Sequence, residues 1–159
     1  MASDSRDYGS PEYWDQFYKS SGGDGVREWF HGFELLRELF ERHLRRTDRI
    51  LMVGCGNSAL SADMFAAGYE NIVNIDASMV VIRQMLRRQP EMDWRHMDVC
   101  NMAEFRTGSF DAVIDKGTLD AILVRRHHRH HRCYSQLAAA ISLAGEHSAV
   151  RLPPPRVAT

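Results

Sequence analysis

A short apolar strand that runs into a glycine-rich turn constrains this chain more than any other feature. Residues 50–53 read Ile-Leu-Met-Val, and the pattern Gly54-x-Gly56-x-x-Ala59 follows directly. The spacing is close to the nucleotide-binding fingerprint, in which one glycine permits a tight turn and the next lets a ligand approach the backbone. An ordinary strand–turn–helix built from small residues is the alternative. The pattern predicts a strand, a turn and a helix that meet at a ligand site.

Strands and helices alternate after this turn. Three more strands are predicted at 71–75, 93–97 and 110–114. Helices are predicted at 58–67, from Ser78 to just before Pro90 and from Thr118 onward, after two earlier helices that start at Ser10-Pro11 and near Gly32. Strands that alternate with helices indicate an α/β fold, a Rossmann-like parallel sheet with flanking helices.

Three of these strands end in an acidic residue. Asp76, Asp98 and Asp115 follow the second, third and fourth strands. The carboxyl ends of parallel strands meet at one edge of a sheet, which is where ligands bind in such folds. Asp76 comes twenty residues after Gly56, the spacing at which an acid accepts hydrogen bonds from ribose hydroxyls. This fits NAD and S-adenosylmethionine equally, while the abundance of acid favours a sulfonium cation without phosphates.

Several segments together resemble one family. They are 13–18 (Tyr-Trp-Asp-Gln-Phe-Tyr), 28–30 (Glu-Trp-Phe), 50–60, 74–76, 97–99 and 115–121 (Asp-Lys-Gly-Thr-Leu-Asp-Ala). The chain resembles the class I S-adenosylmethionine-dependent methyltransferases, and within them the subgroup that modifies lysines of the translation elongation factor one-alpha. The segment at 115–121 is the most specific of these motifs, and the resemblance covers about residues 8 to 124.

The resemblance implies an S-adenosylmethionine site with three parts. Gly54 and Gly56 would line the methionine part of the cofactor. Asp76 would hold the ribose hydroxyls, and Asp98 and Val99 would meet the adenine.

The resemblance also implies an aromatic lid at the N-terminal side of the site. Trp14, Tyr18 and Trp29 would close over the methionine end of the cofactor, and aromatic faces favour a cation such as sulfonium. Lys116 belongs to the implied cofactor-binding set as well. A salt bridge to a neighbouring acid is the alternative role for this lysine.

The substrate side of the site is predicted at Asp115 and Asp120. A lysine substrate must lose its proton before it can attack a methyl group, because ammonium is not a nucleophile. Either carboxylate could steer that amine, and neither is assigned as a general base. No metal site is predicted.

The composition of the chain changes near residue 124. The formal charge is −6 over residues 1–123 and +5 over residues 124–159. We predict a flexible N-terminus at 1–9, a methyltransferase-like cofactor-binding domain at 10–124, and a basic tail at 125–159 that is rich in histidine, arginine and proline. The resemblance stops at Val124, so we expect the fold to lack its last strands and to leave the outer edge of the fourth strand exposed.

The tail has several possible origins and uses. A helix is predicted between Tyr134 and Ala144. The histidines invite a metal-binding interpretation, and the arginines invite binding to RNA. The chain has eighteen arginines and two lysines, which suggests GC-rich coding, so the tail is also interpreted as an out-of-frame product or a splice variant.

The resemblance implies a methyltransferase that acts on a protein lysine, or a truncated version of one with weak or no activity. A translation elongation factor is the candidate substrate. The alternatives are a non-catalytic module with an RNA-binding tail and an NAD-dependent oxidoreductase fragment. No apolar run is long enough to span a membrane, and the N-terminus lacks the features of a signal or transit peptide, so a cytoplasmic location is expected. The three cysteines are too few and too scattered to predict a disulfide framework or a zinc site.

Overall fold

A five-stranded parallel sheet forms the centre of the fold. The computed structural model describes residues 7–20, 25–28, 31–123, 127–140 and 148–151. In chain order, the elements are α1 (Pro11–Ser20), α2 (Phe33–His43), β1 (Ile50–Val53), α3 (Leu60–Ala66), β2 (Ile72–Asp76), α4 (Met79–Arg88), β3 (Asp93–His96), β4 (Ala112–Asp115), α5 (Thr118–Leu123), α6 (His127–Ala140) and β5 (Ser148–Arg151).

The strands lie in the order β3-β2-β1-β4-β5, with β1 at the centre. Val53, the last residue of β1, is level with Ile75 in β2 and with Asp115 in β4. Strands β2 and β3 lie on one side of β1, and β4 and β5 lie on the other, so the strand order reverses at β1. Ligands bind in the crevice at such a reversal in open α/β sheets. This arrangement confirms the predicted Rossmann-like parallel sheet with flanking helices.

Every residue of β1, β2 and β4 is buried, as expected for a parallel sheet that has both faces covered. Side chains of one strand alternate between two hydrophobic cores. Ile50 and Met52 face the core formed with α2, α3 and α4, whereas Leu51 and Val53 face the core that contains Leu119. The sheet is thus a rigid support for the loops at its carboxyl edge.

The strand β5 pairs with the outer edge of β4, from Ala112 opposite Ser148 to Asp115 opposite Arg151. The expectation that this edge is exposed is therefore wrong: a parallel strand from the predicted tail satisfies its backbone groups. The helix expected at 134–144 is observed as α6 and begins earlier. Residues 1–6, 124–126, 141–147 and 152–159 lie outside the described residues, and so do the parts of the predicted N-terminus and tail that fall on them.

Helix α1 is fastened to the start of α4 by Asp15. Its Oδ1 atom accepts hydrogen bonds from Ser78 Oγ at 2.6 Å and from Val80 N at 3.2 Å. Ser78 caps α4 in turn, because its Oγ atom accepts from Val81 N. Burial opposes ionisation of Asp15, but these hydrogen bonds lower its pKa below the ordinary value. The contact fixes α1 beside the carboxyl edge of the sheet.

A disulfide joins Cys100, in the loop after β3, to Cys133 in α6. Both residues are buried. The sequence does not predict this pair, because the two cysteines are 33 residues apart and meet only through the fold. The bond ties the middle of α6 to the loop that follows β3.

Breaking this disulfide is expected to lower the free energy of unfolding. The bond closes a loop of 33 residues, for which the chain-entropy model gives a stabilisation of about 3 to 4 kcal/mol. Urea denaturation of the Cys133→Ser variant should show this loss, and a reductant should produce the same loss in the unmodified protein. The variant itself should be insensitive to the reductant. Equal stability with and without reductant in the unmodified protein would contradict the expectation.

Candidate functional site

A cavity of about 350 Å³ lies at the carboxyl edge of the sheet. Its volume falls within the range of small-molecule sites in proteins. The strand ends of β1 and β2, the loops after β3 and β4, and helix α1 all contribute to its walls. The predicted site residues that line it are Trp14, Tyr18, Gly54, Gly56, Asp76, Asp98, Val99, Lys116 and Asp120. The remaining two are Asp115, which lies outside the lining, and Trp29, which lies outside the described residues.

The glycine-rich turn after β1 adopts a conformation that favours glycine. Gly54 and Gly56 both have positive φ angles, 56° and 55°. A Cβ atom on Gly56 would lie 2.8 Å from the hydroxyl oxygen of Tyr18. The turn is therefore open only because it carries no side chains, and α1 covers it closely.

Asp76 anchors this turn from the end of β2. Its Oδ2 atom accepts a hydrogen bond from Gly56 N at 2.9 Å, and its Oδ1 atom accepts one from Ser78 N at 2.8 Å. Burial raises the pKa of this carboxyl group above its ordinary value, although the two backbone donors favour the charged form. Each carboxylate oxygen can accept a second hydrogen bond. The group thus combines a fixed orientation with capacity for two ligand hydroxyls.

Asp98 shapes the loop after β3. Its Oδ1 atom accepts from Cys100 N at 2.8 Å, and its carbonyl oxygen accepts from Asn101 N at 2.8 Å. Val99, which lies between these contacts, is buried against the cavity. The pair gives this wall one polar side chain and one apolar side chain, which suits a flat heteroaromatic ring with polar edges.

The two substrate-side candidates have different positions. The Oδ1 atom of Asp115 accepts hydrogen bonds from Thr118 N at 3.0 Å and Leu119 N at 3.2 Å, at the start of α5. This buried carboxylate therefore holds α5 against the sheet. Asp120 is half-buried and lines the cavity. Of the two, Asp120 is the one placed to meet a ligand.

Lys116 lines the cavity and also forms a salt bridge. Its Nζ atom donates to Glu28 Oε2 at 2.9 Å, so the alternative role given to this lysine, a salt bridge to an acid, is observed. Glu28 was not predicted as a site residue, although it belongs to the Glu-Trp-Phe motif at 28–30. The motif was the only sequence signal that pointed to it.

Aromatic side chains of the N-terminal region form one wall of the cavity. The rings of Trp14 and Tyr18 lie 6.0 Å apart, and Trp14 Nε1 donates to the carbonyl oxygen of Tyr8 at 2.7 Å. Burial raises the pKa of the Tyr18 hydroxyl, and the negative charge of Asp76 raises it further, so the hydroxyl stays protonated. Tyr8 also lines the cavity, and no sequence signal pointed to it.

The residues of this cavity fit S-adenosylmethionine. Asp76 offers paired acceptors, the glycine turn leaves space along the backbone, and the aromatic wall suits a sulfonium. Asn57 adds a further polar atom: its Nδ2 atom donates to Gly25 O at 2.5 Å, while its buried Oδ1 atom has no hydrogen-bond partner among the described residues. A buried acceptor without a partner in a ligand cavity is a natural contact for a ligand donor.

Comparison with known proteins identifies the family. The profile of the methyltransferase domain matches residues 51–140, which is more than half of the chain and runs from β1 to the end of α6. The chain belongs to the methyltransferase domain family. This match confirms the predicted relationship to methyltransferases. It also extends past residue 124, where the resemblance was predicted to end.

Two curated relatives carry the names of elongation-factor methyltransferases. A Mus musculus protein named EEF1A lysine methyltransferase 4 is 46% identical over 119 residues, which are 73% of this chain and 46% of that protein. A Homo sapiens protein named eEF1A lysine and N-terminal methyltransferase is 42% identical over 123 residues, which are 75% of this chain and 17% of that protein. The chain thus spans less than half the length of either relative.

A solved structure shows the same fold. The TehB-like S-adenosylmethionine-dependent methyltransferase of Corynebacterium glutamicum superimposes with a TM-score of 0.58 at 16% identity, over 85% of this chain and 68% of that one. Among the residues described here, no helix is long and apolar enough to cross a membrane.

Proposed function

We propose that this chain binds S-adenosylmethionine in the cavity and transfers its methyl group to a lysine side chain of a protein, namely translation elongation factor one-alpha. The observation that carries the proposal is a cavity in which Asp76, the glycine turn and the 115–121 motif meet. The names of the curated relatives support the substrate. The proposed location is the cytoplasm.

The chain would hold the cofactor through residues already in place. Asp76 would accept hydrogen bonds from the ribose hydroxyls, and Asp98 with Val99 would contact the adenine. Trp14 and Tyr18 would place aromatic faces beside the sulfonium. The bound cofactor supplies a methyl group on a good leaving group, so the task left to the protein is alignment and desolvation.

The acceptor amine must reach the cavity in its neutral form. The ammonium of a lysine has no lone pair to donate, and its pKa is near 10 in water, so it must lose a proton before attack. Asp120 lines the cavity and is half-buried, so its carboxylate would accept a hydrogen bond from the amine and orient the lone pair. Burial in the cavity would remove water from the amine and so lower the stability of its charged form.

A methylation assay with mass spectrometry tests the proposal. The full chain, the labelled cofactor and purified elongation factor one-alpha should yield a methylated lysine on that factor. Asp120→Asn should lower kcat by about tenfold to a hundredfold while cofactor affinity stays the same, because an oriented hydrogen bond is lost. Methylation at an α-amine would overturn the lysine assignment. Cofactor binding without methylation of the factor would overturn the substrate, and no cofactor binding would overturn the whole proposal.

A further inference from the structure

A four-residue segment, 25–28, lies across the glycine-rich turn. We call it the bridging segment. At one end, Gly25 O accepts a hydrogen bond from Asn57 Nδ2 at 2.5 Å. At the other end, Glu28 Oε1 accepts from Ser58 Oγ at 2.5 Å and from Ala59 N at 2.7 Å. All four residues of the segment are exposed, so these hydrogen bonds, rather than core packing, hold it in place.

The second oxygen of Glu28 reaches a different part of the fold. Glu28 Oε2 pairs with Lys116 Nζ at 2.9 Å, across a sequence separation of 88 residues. The side chains of Lys116 and Glu28 are 7% and 27% exposed. By contrast, both partners of the Glu34–Arg37 pair on α2 are at least 40% exposed. The Glu28–Lys116 pair is therefore better shielded from water, and its electrostatic interaction is correspondingly stronger.

Two of the three residues that Glu28 contacts belong to the cavity wall. Ser58 lines the cavity after β1, and Lys116 lines it after β4. Arg27, within the bridging segment, lines the cavity too, and its guanidinium lies 5.0 Å from the centre of the Phe17 ring. The segment is thus part of the wall, and moving it away would open the cavity beside the glycine turn.

We propose that Glu28 is a positioning residue that latches the bridging segment across the glycine turn and Lys116, and that this latch slows the release of S-adenosylmethionine. One carboxylate joins three elements, namely the segment, the turn after β1 and the loop after β4. Opening the segment breaks all of these contacts together, so the charge pair sets how often the wall opens. The inference rests on the proposed cofactor but is independent of the protein substrate.

The test compares Glu28→Gln, Lys116→Met and the double variant with Glu34→Gln as the matched control. Glu28→Gln keeps an acceptor for Ser58 and Ala59 while it removes the charge. Trypsin cleavage after Arg27, measured without cofactor and divided by the rate for an unstructured peptide with the same substitution, reports opening of the segment. The peptide corrects for the change at residue 28, which directly follows the cleaved bond. Stopped-flow fluorescence and calorimetry report the dissociation rate and Kd of S-adenosylmethionine.

Each latch variant should speed cleavage after Arg27 and cofactor dissociation by about tenfold. The double variant should resemble either single variant, because both remove the same pair. Glu28→Asp should recover part of the effect, and Glu34→Gln should behave like the unmodified protein. Unchanged cleavage and dissociation in the latch variants, or equal changes in Glu34→Gln, would overturn the latch. An unmodified protein that does not bind the cofactor would overturn the proposed function, while the cleavage rates would still decide whether the latch exists.

Discussion

Replacing Asp76 with alanine is expected to weaken S-adenosylmethionine binding by about a hundredfold or more. The carboxylate is held by Gly56 N and Ser78 N and is proposed to accept two ribose hydroxyls. Hydrogen bonds to a charged group contribute about 1.5 to 3 kcal/mol each, and about 1.4 kcal/mol corresponds to a factor of ten in Kd. The variant also leaves the buried Gly56 N–H without its acceptor, which loosens the turn.

Calorimetric titration measures this loss, with Asp111→Ala as the matched control. Asp111 Oδ2 also accepts a backbone hydrogen bond, from Arg49 N at 2.8 Å, but it precedes β4 at the opposite edge of the sheet. The control should therefore bind the cofactor normally. An Asp76→Ala variant that is folded and binds as tightly as the control would show that this carboxylate does not hold the ribose.

The pH dependence of binding follows from the burial of the same carboxylate. Burial raises the pKa of Asp76 above its ordinary value of 3.8, so acidification protonates it before an exposed aspartate. Only the ionised group has both oxygens free to accept, so a proton competes with the cofactor. Affinity in the same titration should accordingly fall as the pH approaches that raised pKa from above.

The sheet and its glycine turn were predictable because their signals are local. The apolar run at 50–53, the two glycines and the acids at strand ends each occupy a few consecutive residues, and parallel topology brings strand ends to one edge. The cavity lining confirms the prediction that Asp76 and Asp98 share that edge. The same rule placed Asp115 at the end of β4, but it could not show that the first turn of α5 uses this carboxylate.

The contacts that the sequence did not predict join distant segments. Glu28 and Lys116 are 88 residues apart, and Cys100 and Cys133 are 33 apart. Such pairs depend on how the helices pack, which hydrophobic spacing does not specify. The strand β5 was missed for a related reason: four residues, Ser-Ala-Val-Arg, are too short and too ordinary to be recognised as a strand without the edge of β4 beside them.

Gly54→Ala is expected to cause the largest loss of stability among single substitutions in the glycine turn. A non-glycine residue at its φ angle of 56° costs about 1 to 2 kcal/mol in backbone strain. A Cβ atom there would also overlap the side chain of Thr118, the first residue of α5. Thr118 has little room to yield, because its Oγ1 atom donates to Val53 O at 3.0 Å. Overpacking adds about 1 to 3 kcal/mol, so the expected total is about 2 to 5 kcal/mol.

The Gly68→Ala variant separates the cost of backbone strain from the cost of the steric clash. Gly68 also has a positive φ angle, 94°, but a Cβ atom there would meet only Arg46 Cδ at 3.7 Å, an ordinary contact. Urea denaturation of both variants should therefore show backbone strain alone at Gly68, and strain plus the clash at Gly54. Equal losses of stability in the two variants would mean that α5 moves aside at no cost in Gly54→Ala. The close fit between the turn and Thr118 would then not hold the cavity wall in place. A larger loss at Gly54 that is accompanied by weaker cofactor binding would link the packing of α5 to the shape of the site.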